Sequence, residues 1–360
     1  MKKAATFILL FTTFIASALF IHYQKQSPQS ELAYDDDQEG LKDQIVFRFS
    51  HVVAENTPKG LAANKFAELV NEKSNGKIKI EVFPNGSLYS DIEEFRALKS
   101  GQVQFIAPST SKLGTFSPEW GVLDLPFAFS NYEALQEGLN GKIGEQLLQS
   151  LQKDGIKGLA HWSNGFKQIT SNKGPIYTPK DIQGQSFRIM QSNVIQSQFD
   201  LLKVKAHQDS FNSTYQLIES GKVDGEENTI SNIYSKKFYN VQNYLTISNH
   251  GYLGYVVMMD QKTWNQQTQK TKEILTDAME EATAWNNQQA AQINKEQLEL
   301  IKQNSSIQIH ELNDEQRKHW ETVLLPIYDK LAPTIGEDLV EELRALQRKY
   351  QTQEPQSQNP

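Results

Sequence analysis

From residue 44 onward the chain switches repeatedly between two hydrophobic periods. The stretch QIVFRFSHVV (44–53) is rich in β-branched and aromatic residues and predicts a strand. Residues 58–74 follow a helical period instead, with Ala62, Ala63, Phe66, Leu69 and Val70 on one face. Thr57 is placed to cap that helix, Pro58 suits its first turn, and Gly76 ends it. In KIKIEVFP (77–84), Ile78, Ile80 and Val82 alternate with lysines and Glu81, which predicts a second strand. DIEEFRALKSG (91–101) predicts a second helix, with Asp91 near its start and Gly101 as its stop. VQFIAPS (103–109) predicts a third strand. The resulting βαβαβ order predicts parallel strands joined by crossover helices.

The next part of the chain repeats this plan. GIKGLAHWS (155–163) and FKQITSN (166–172) read as two strands and FRIM (187–190) as a third, followed by a helix over 193–202. STYQLIESGKVDGEENT (213–229) reads as a helix that stops at Gly221, then a short strand and a turn. The segment ALKSGQVQF (97–105) is thereby echoed by LIESGKVDGEE (217–227). Two α/β lobes with a cleft between them follow from this echo, and open α/β sheets bind ligands beyond the carboxyl ends of their strands. Residues 266–303 then change character: TKEILTDAMEEATAWNNQQAAQINKEQLELIKQ (271–303) has no Gly or Pro. Its apolar positions, Ile274, Leu275, Ala278, Met279, Ala282, Trp285, Ala290, Ile293, Leu298 and Ile301, keep a helical period. One helix of ~35 residues would be ~50 Å long and could run across both lobes. The alternative is two helices broken near Asn286 and Asn287. A helical pair over 314–331 and 336–350 closes the body.

Composition narrows the possibilities. The net charge of -7 argues against a nucleic-acid surface. The absence of cysteine removes disulfides, thiolate catalysis, Cys-ligated zinc and a lipid-modified cysteine anchor. Residues 1–23 begin with Lys2 and Lys3 and run without charge from residue 4 to residue 20, the plan of an export signal. The apolar run is also nearly long enough to span a bilayer, so cleaved signal peptide and retained membrane anchor are both open. Either one places the rest of the chain outside the cytoplasm. Residues 24–43 and 351–360 are polar and lack apolar periodicity, and read as a disordered tether and a disordered tail. The folded body spans 44–350. Lobe I takes about 44–165, lobe II about 166–251, and each adds part of 252–350.

Enzyme signatures are missing: no G-x-S-x-G elbow, H-E-x-x-H helix or phosphate-binding loop occurs. No cofactor motif is present, and the seven histidines have no metal-ligand spacing; His310 and His319 read as surface residues. Asp35, Asp36 and Asp37 read as solvated charge. What stands out is a set of donors at predicted strand ends: His51, Ser109, Ser111, Lys112, Asn164, Lys167, Arg188 and Asn228. Arg188 lies between Phe187 and Ile189 on an apolar strand, and the nearest acid along the chain is Asp181. A guanidinium is rarely buried without a partner, and its planar fork matches a carboxylate. Taken singly, each residue has an ordinary explanation. His51 could be a core histidine, Lys112 and Lys167 could be surface lysines, and Arg188 could bond backbone carbonyls. Taken together, cations and neutral donors without an acid among them call for an anion.

The motifs FSHVVAENTPKG, EVFPNGSLYSDIEEFRALKSGQVQF, DLPFAF, WSNGFKQITSNKGPI, TPKDIQGQSFRI and YQLIESGKVDGEENTISNIYSKKFYNVQNYLTISNHGYLGY, with the long late helix, cover nearly all of 44–331. In that order they resemble the solute-binding proteins of tripartite ATP-independent periplasmic (TRAP) transporters, in the subgroup that takes four-carbon dicarboxylates. The resemblance implies a periplasmic-binding-protein-like, bilobal α/β fold with one long helix spanning both lobes and hinge closure on the ligand. It implies that Arg188 pairs with a ligand carboxylate, that Asn228 bonds the same carboxylate and that Lys167 adds a second cation there. It further implies that Phe211 packs on the ligand, that Ser109 and Lys112 make substrate-specific contacts and that His51 is typical of the subgroup. Gln191 and Tyr234 join the candidates. Relatives commonly carry Gln where this chain has Glu226 or Glu227, so the charge beside Asn228 differs. The implied ligands are C4-dicarboxylates such as succinate, fumarate and malate. The implied partner is a TRAP membrane permease or, alternatively, a sensor histidine kinase for which the protein would act as co-receptor. An enzymatic role in the same cleft has no nucleophile–base pair or metal cluster to carry it.

Overall fold

Residues 44–351 are described by the computed structural model of the chain; the export segment, tether and tail read from the sequence lie outside them, apart from Gln351. The first strand, β1 (Ile45–Ser50), pairs parallel with β2 (Ile78–Phe83) on one side and β3 (Phe105–Ile106) on the other. Between β1 and β2 runs α1 (Pro58–Lys73), capped by Thr57, whose Oγ1 accepts from the Gly60 N–H at 3.2 Å. Its buried stripe, Ala62, Ala63, Phe66 and Val70, packs on the sheet, where the Phe66 ring meets Phe49 and Phe105. The helix predicted over 91–101 is shorter, α2 (Glu94–Lys99). The Glu93 side chain accepts from both Ser90 N–H and Ser90 hydroxyl, which closes a separate turn at 90–93 and leaves Asp91 outside the helix. After β3 come α3 (Thr110–Leu113), α4 (Tyr132–Asn140) and α5 (Lys142–Ser150).

Two strands were expected over 155–172, but one is present, β4 (Ile156–Ser171). Asn164 and Gly165 look like a turn in sequence. Gly165 instead adopts φ +119° and the strand bulges there, with further register shifts that include one between Lys167 and Ile169. A bulge bends a strand without ending it. The second lobe follows: β5 (Ser186–Ile189), α6 (Asn193–Leu201), β6 (Lys205–Gln208), α7 (Thr214–Glu219), β7 (Gly225–Thr229) and α8 (Ile230–Ser235). Both β6 and β7 run parallel to β5. The glycine stops at Gly101 and Gly221 both take left-handed backbone, φ +74° and +69°, so the sequence echo is also a conformational one.

β8 (Tyr244–Asp260), which the hydrophobic pattern left unassigned, pairs antiparallel with β4 along its whole length, from Ile156↔Asp260 to Ser171↔Tyr244. The sheet order is β2-β1-β3-β8-β4-β7-β5-β6. Met258, late in β8, carries β3, and Lys167 to Ser171, late in β4, carry β7. The two α/β lobes are thus the two sides of one sheet, joined through the long β4–β8 pair. After α9 (Gln261–Asn265) comes α10 (Gln269–Asn304), one unbroken helix through Asn286 and Asn287. Its Gln297 donates to Asn56 O beside α1 and its Asn294 accepts from Ser231 N on α8, so it ties to both sides. A short strand, β9 (Gln308–Glu311), joins β8. The single helix expected over 314–331 is two, α11 (Asp314–Leu324) and α12 (Pro326–Ile335), because Pro326 has no N–H to continue the ladder and starts a new helix. α13 (Glu337–Gln351) completes the described chain.

Gly225 on β7 is packed closely against both of its neighbouring strands, β4 and β5. A Cβ there would lie 2.1 Å from Thr170 O and 2.6 Å from Phe187 Cζ. Gly225→Ala is expected to lower unfolding free energy by about 3 kcal/mol. Urea titration followed by tryptophan fluorescence reads this, since Trp120, Trp162 and Trp320 are buried. A loss under about 0.5 kcal/mol would mean that β4 and β7 part freely at this point.

Candidate functional site

A narrow cavity lies between the strand ends of the two sides and holds about 30 Å³. Val52, Val53, Ser109 and Lys112 reach it from the β1–β3 side, Arg188, Phe211 and Asn228 from the β5–β7 side, and Tyr255 from β8. One water needs roughly 10–15 Å³ of such space, so the room is that of two or three waters. Five sequence candidates line it: Arg188, Asn228, Lys112, Ser109 and Phe211. His51, Lys167, Gln191 and Tyr234 do not.

Arg188 reaches the cavity because strand side chains alternate. Phe187 and Ile189 are wholly buried in the core, so the residue between them points the other way. Arg188 is 2% exposed. Nε and Nη2 both donate to the Asp209 carbonyl, at 3.0 and 2.8 Å, while Nη1 is buried with no partner. Burial pushes the guanidinium down, and the charges of Glu226, Asp91 and Glu227 act against that shift. The expectation that no acid stands near the cations is therefore corrected. Glu226 is the register partner of Arg188 on β7. Burial pushes Glu226 up to about 7, and it accepts from Asn228 Nδ2 at 3.0 Å.

Lys112 is not a free cation either. Its ammonium bonds the Asp91 carboxylate and, at 2.8 Å, the Asp91 carbonyl. Asp91 and Glu94 both line the cavity. Glu94 is fully buried and its carboxyl is pushed up to about 8 by burial, against the pull of Lys59 and Lys112. Lys59 lies beneath, donating to Ala107 O at 2.8 Å with its ammonium 3.7 Å from the Tyr255 ring centroid, and burial lowers it to about 7. With Glu94 protonated, the charges that line the cavity are Arg188, Lys112 and Asp91, one positive in excess. Ser109 Oγ is a further buried group without a partner. Glu94 was legible in principle, since it shares the buried face of α2 with Ala97 and Leu98. Asp91 and Lys59 gave no local signal.

The other four candidates have different surroundings. Burial, with Lys59 beside it, pushes the His51 imidazole down to about 3, so the ring is neutral. Gln191 is half-buried, and the half-buried Tyr234 stacks on Tyr239. Lys167 turns away from the cavity across Gly251, where a Cβ would meet its Cε at 2.7 Å. There it pairs with Glu227 at 2.8 Å. The other Glu227 oxygen accepts from His250 Nε2 at 2.9 Å, and His250 Nδ1 lies 2.7 Å from the Ser248 hydroxyl. Ser111 and Asn164 are also engaged, with Asp124 and Thr229 at 2.6 Å each.

Burial alone would raise the Glu227 carboxyl, but Lys167 and His250 outweigh it and bring it down to about 2. Its folded value is below the ordinary 4.5, so it contributes stability above pH 4.5 that is lost as pH falls towards 2. Glu227→Gln should reduce the loss of stability across that window while costing about 3–5 kcal/mol near neutrality, because Lys167 stays buried unpaired. Urea titrations at several pH values check both. An unchanged acid slope would remove Glu227 as the group responsible.

Comparison with known proteins adds the following. The family described as bacterial extracellular solute-binding protein, family 7, matches residues 49–334. The chain is 64% identical over 348 residues to the C4-dicarboxylate-binding protein DctB of Bacillus subtilis, covering 97% of this chain and 99% of that one. A TRAP periplasmic solute-binding protein of Sulfurospirillum deleyianum, solved with bound succinate, superposes with a TM-score of 0.82 at 40% identity, covering 84% of this chain and 99% of its own. One from Pseudomonas aeruginosa, with bound L-malate, has a TM-score of 0.77 at 35% identity, covering 79% and 99%.

Proposed function

The chain belongs to the family-7 bacterial extracellular solute-binding proteins, and we propose that it captures C4-dicarboxylates outside the cytoplasm and hands them to a TRAP-type permease. The observation that carries this reading is Arg188: a buried guanidinium with an unpartnered Nη1, aimed into a cavity that a second cation, Lys112, enters from the other side. Nη1 and Nη2 together present the fork that a carboxylate takes through two parallel hydrogen bonds. Asn228 and the ring of Phe211 flank that position. Lys112 and Ser109 stand where the far carboxylate would arrive. Two cationic anchors favour a dianion over a monoanion of the same length. The name of the Bacillus relative and the succinate and L-malate in the solved relatives support the same ligand class.

Lys167, His51, Gln191 and Tyr234 take no direct ligand contact in this reading. Lys167 acts behind the site, as the counter-charge that keeps Glu227 ionised. A cavity of about 30 Å³ is too small for a four-carbon diacid, so entry requires the two sides to part. The bulged β4–β8 pair, with Gly165 at φ +119° and Asn249 at φ +46°, is the place where the connection can flex. The co-receptor role with a sensor kinase has no support among the relatives. Among the described residues no helix is long and apolar enough to cross a membrane.

Isothermal titration with succinate, fumarate, L-malate and butyrate tests the reading. The diacids are expected to bind with micromolar Kd, about -8 kcal/mol, and butyrate far more weakly. Arg188→Met should weaken diacid binding by about a hundredfold or more, the cost of stranding one partner of a buried charge pair. Absence of diacid binding by the unaltered chain, or an unchanged affinity in the variant, would overturn it.

A further inference from the structure

We propose that Asp91 is a built-in competitor of the ligand: its carboxylate occupies the seat at Lys112 that the second carboxylate of the diacid takes. This rests on the dicarboxylate reading above and adds to it what sets affinity and the preference for diacids.

Three observations place Asp91 in that seat. The first is its set of partners. Its carboxylate bonds the Lys112 ammonium from the β1–β3 side and faces the Phe211 N–H, at 3.5 Å, from the β5–β7 side. A cation from one side and a backbone donor from the other is what an arriving carboxylate would use to bridge the cleft. Its charge also acts on Arg188. The second is incompleteness. Oδ1 of Asp91 is buried without a partner in the same cavity that holds the orphan Nη1 of Arg188 and the orphan Oγ of Ser109. Leaving that oxygen unpaired at this depth costs its desolvation, so the Asp91–Lys112 pair is incompletely compensated. The third is where Asp91 stands. It belongs to the turn at 90–93 rather than to a helix or strand, and its neighbours Leu88 and Ile92 are 39% and 60% exposed. Such a turn can carry the carboxylate out of the cavity without breaking a ladder. With Asp91 in place the space left is about 30 Å³.

The consequence is selective. Displacing Asp91 is required only of a ligand with a second carboxylate to put on Lys112. A monoacid on Arg188 leaves the Asp91–Lys112 pair alone. Removing the negative charge at Asp91 should therefore help diacids more than monoacids, which gain only through the field of Asp91 on Arg188.

Asp91→Asn keeps the shape and removes the charge. Titration calorimetry is expected to give about tenfold tighter succinate binding than in the unaltered chain, the size of one charge-assisted hydrogen bond. Butyrate should gain clearly less over the same comparison, about threefold at most, because it loses only the field of Asp91 on Arg188 and displaces nothing from Lys112. Weaker or unchanged succinate binding in Asp91→Asn would overturn the proposal, since Asp91 would then be positioning Lys112 or touching the ligand itself. A second arm needs no diacid. In Asp91→Ala the vacated seat should be filled by acetate, which should raise the melting temperature of that variant and not of the unaltered chain. If the unaltered chain binds no diacid, the functional reading fails, and the acetate arm still decides: no rise in Asp91→Ala overturns the competitor role.

Discussion

The arrangement around the cavity depends on one constraint: a guanidinium has been taken out of water. Moving a charge into a protein interior costs several kcal/mol that only partners nearby can offset. Arg188 donates two hydrogen bonds to one carbonyl, that of Asp209, and lies in the field of Glu226 on the next strand. The offset is incomplete, because Nη1 is left without a partner. Burial of Glu226 limits how much it can help, since its own carboxyl is pushed up to about 7. The site is therefore a buried cation whose compensation has one place open. That place is what a carboxylate from solution can fill.

The three lysines near the cleft solve their own burial in different ways, and this gives the site its charge. Lys167 is neutralised inside the sheet by Glu227, on a strand that pairs with its own. Lys59 takes a carbonyl and an aromatic face and is lowered to about 7. Lys112 takes both the carboxylate and the main-chain carbonyl of Asp91, which stands in a turn. The protein thus keeps two cations at the cavity while only one, Arg188, is tied down by main-chain geometry alone. The Lys167–Glu227–His250 group lies beside the register shift between Lys167 and Ile169 and links side chains of β4, β7 and β8.

Much of the architecture follows from local periodicity. The βαβαβ opening, the echo around Gly101 and Gly221 and the long helix over 269–304 rest on patterns within a few residues of each other. The parts that did not follow are also physical. A bulge at Gly165 and a turn look alike in sequence, because both want glycine; only pairing with β8 decides that the strand continues. The turn at 90–93 is made by one Glu93 side chain that a helical pattern would equally have exposed. Pro326 was readable as a break, since proline lacks the donor a continuing helix needs.

For the site, the sequence by itself determined which residue types stand at strand ends, and that Arg188 must face away from Phe187 and Ile189. Strand alternation is a property of the backbone, so it needs no knowledge of the rest of the chain. The sequence could not determine which cations are free. Lys112 is paired with Asp91 and Lys167 with Glu227, residues 21 and 60 positions away. Whether a buried charge has a partner is settled by which segments the sheet brings within a few ångströms, and Coulomb energy in a poorly polarisable interior makes that distance decisive. The tertiary structure therefore decided that the cavity has one excess positive charge rather than three, and that Asp91 of the chain itself supplies a negative charge there.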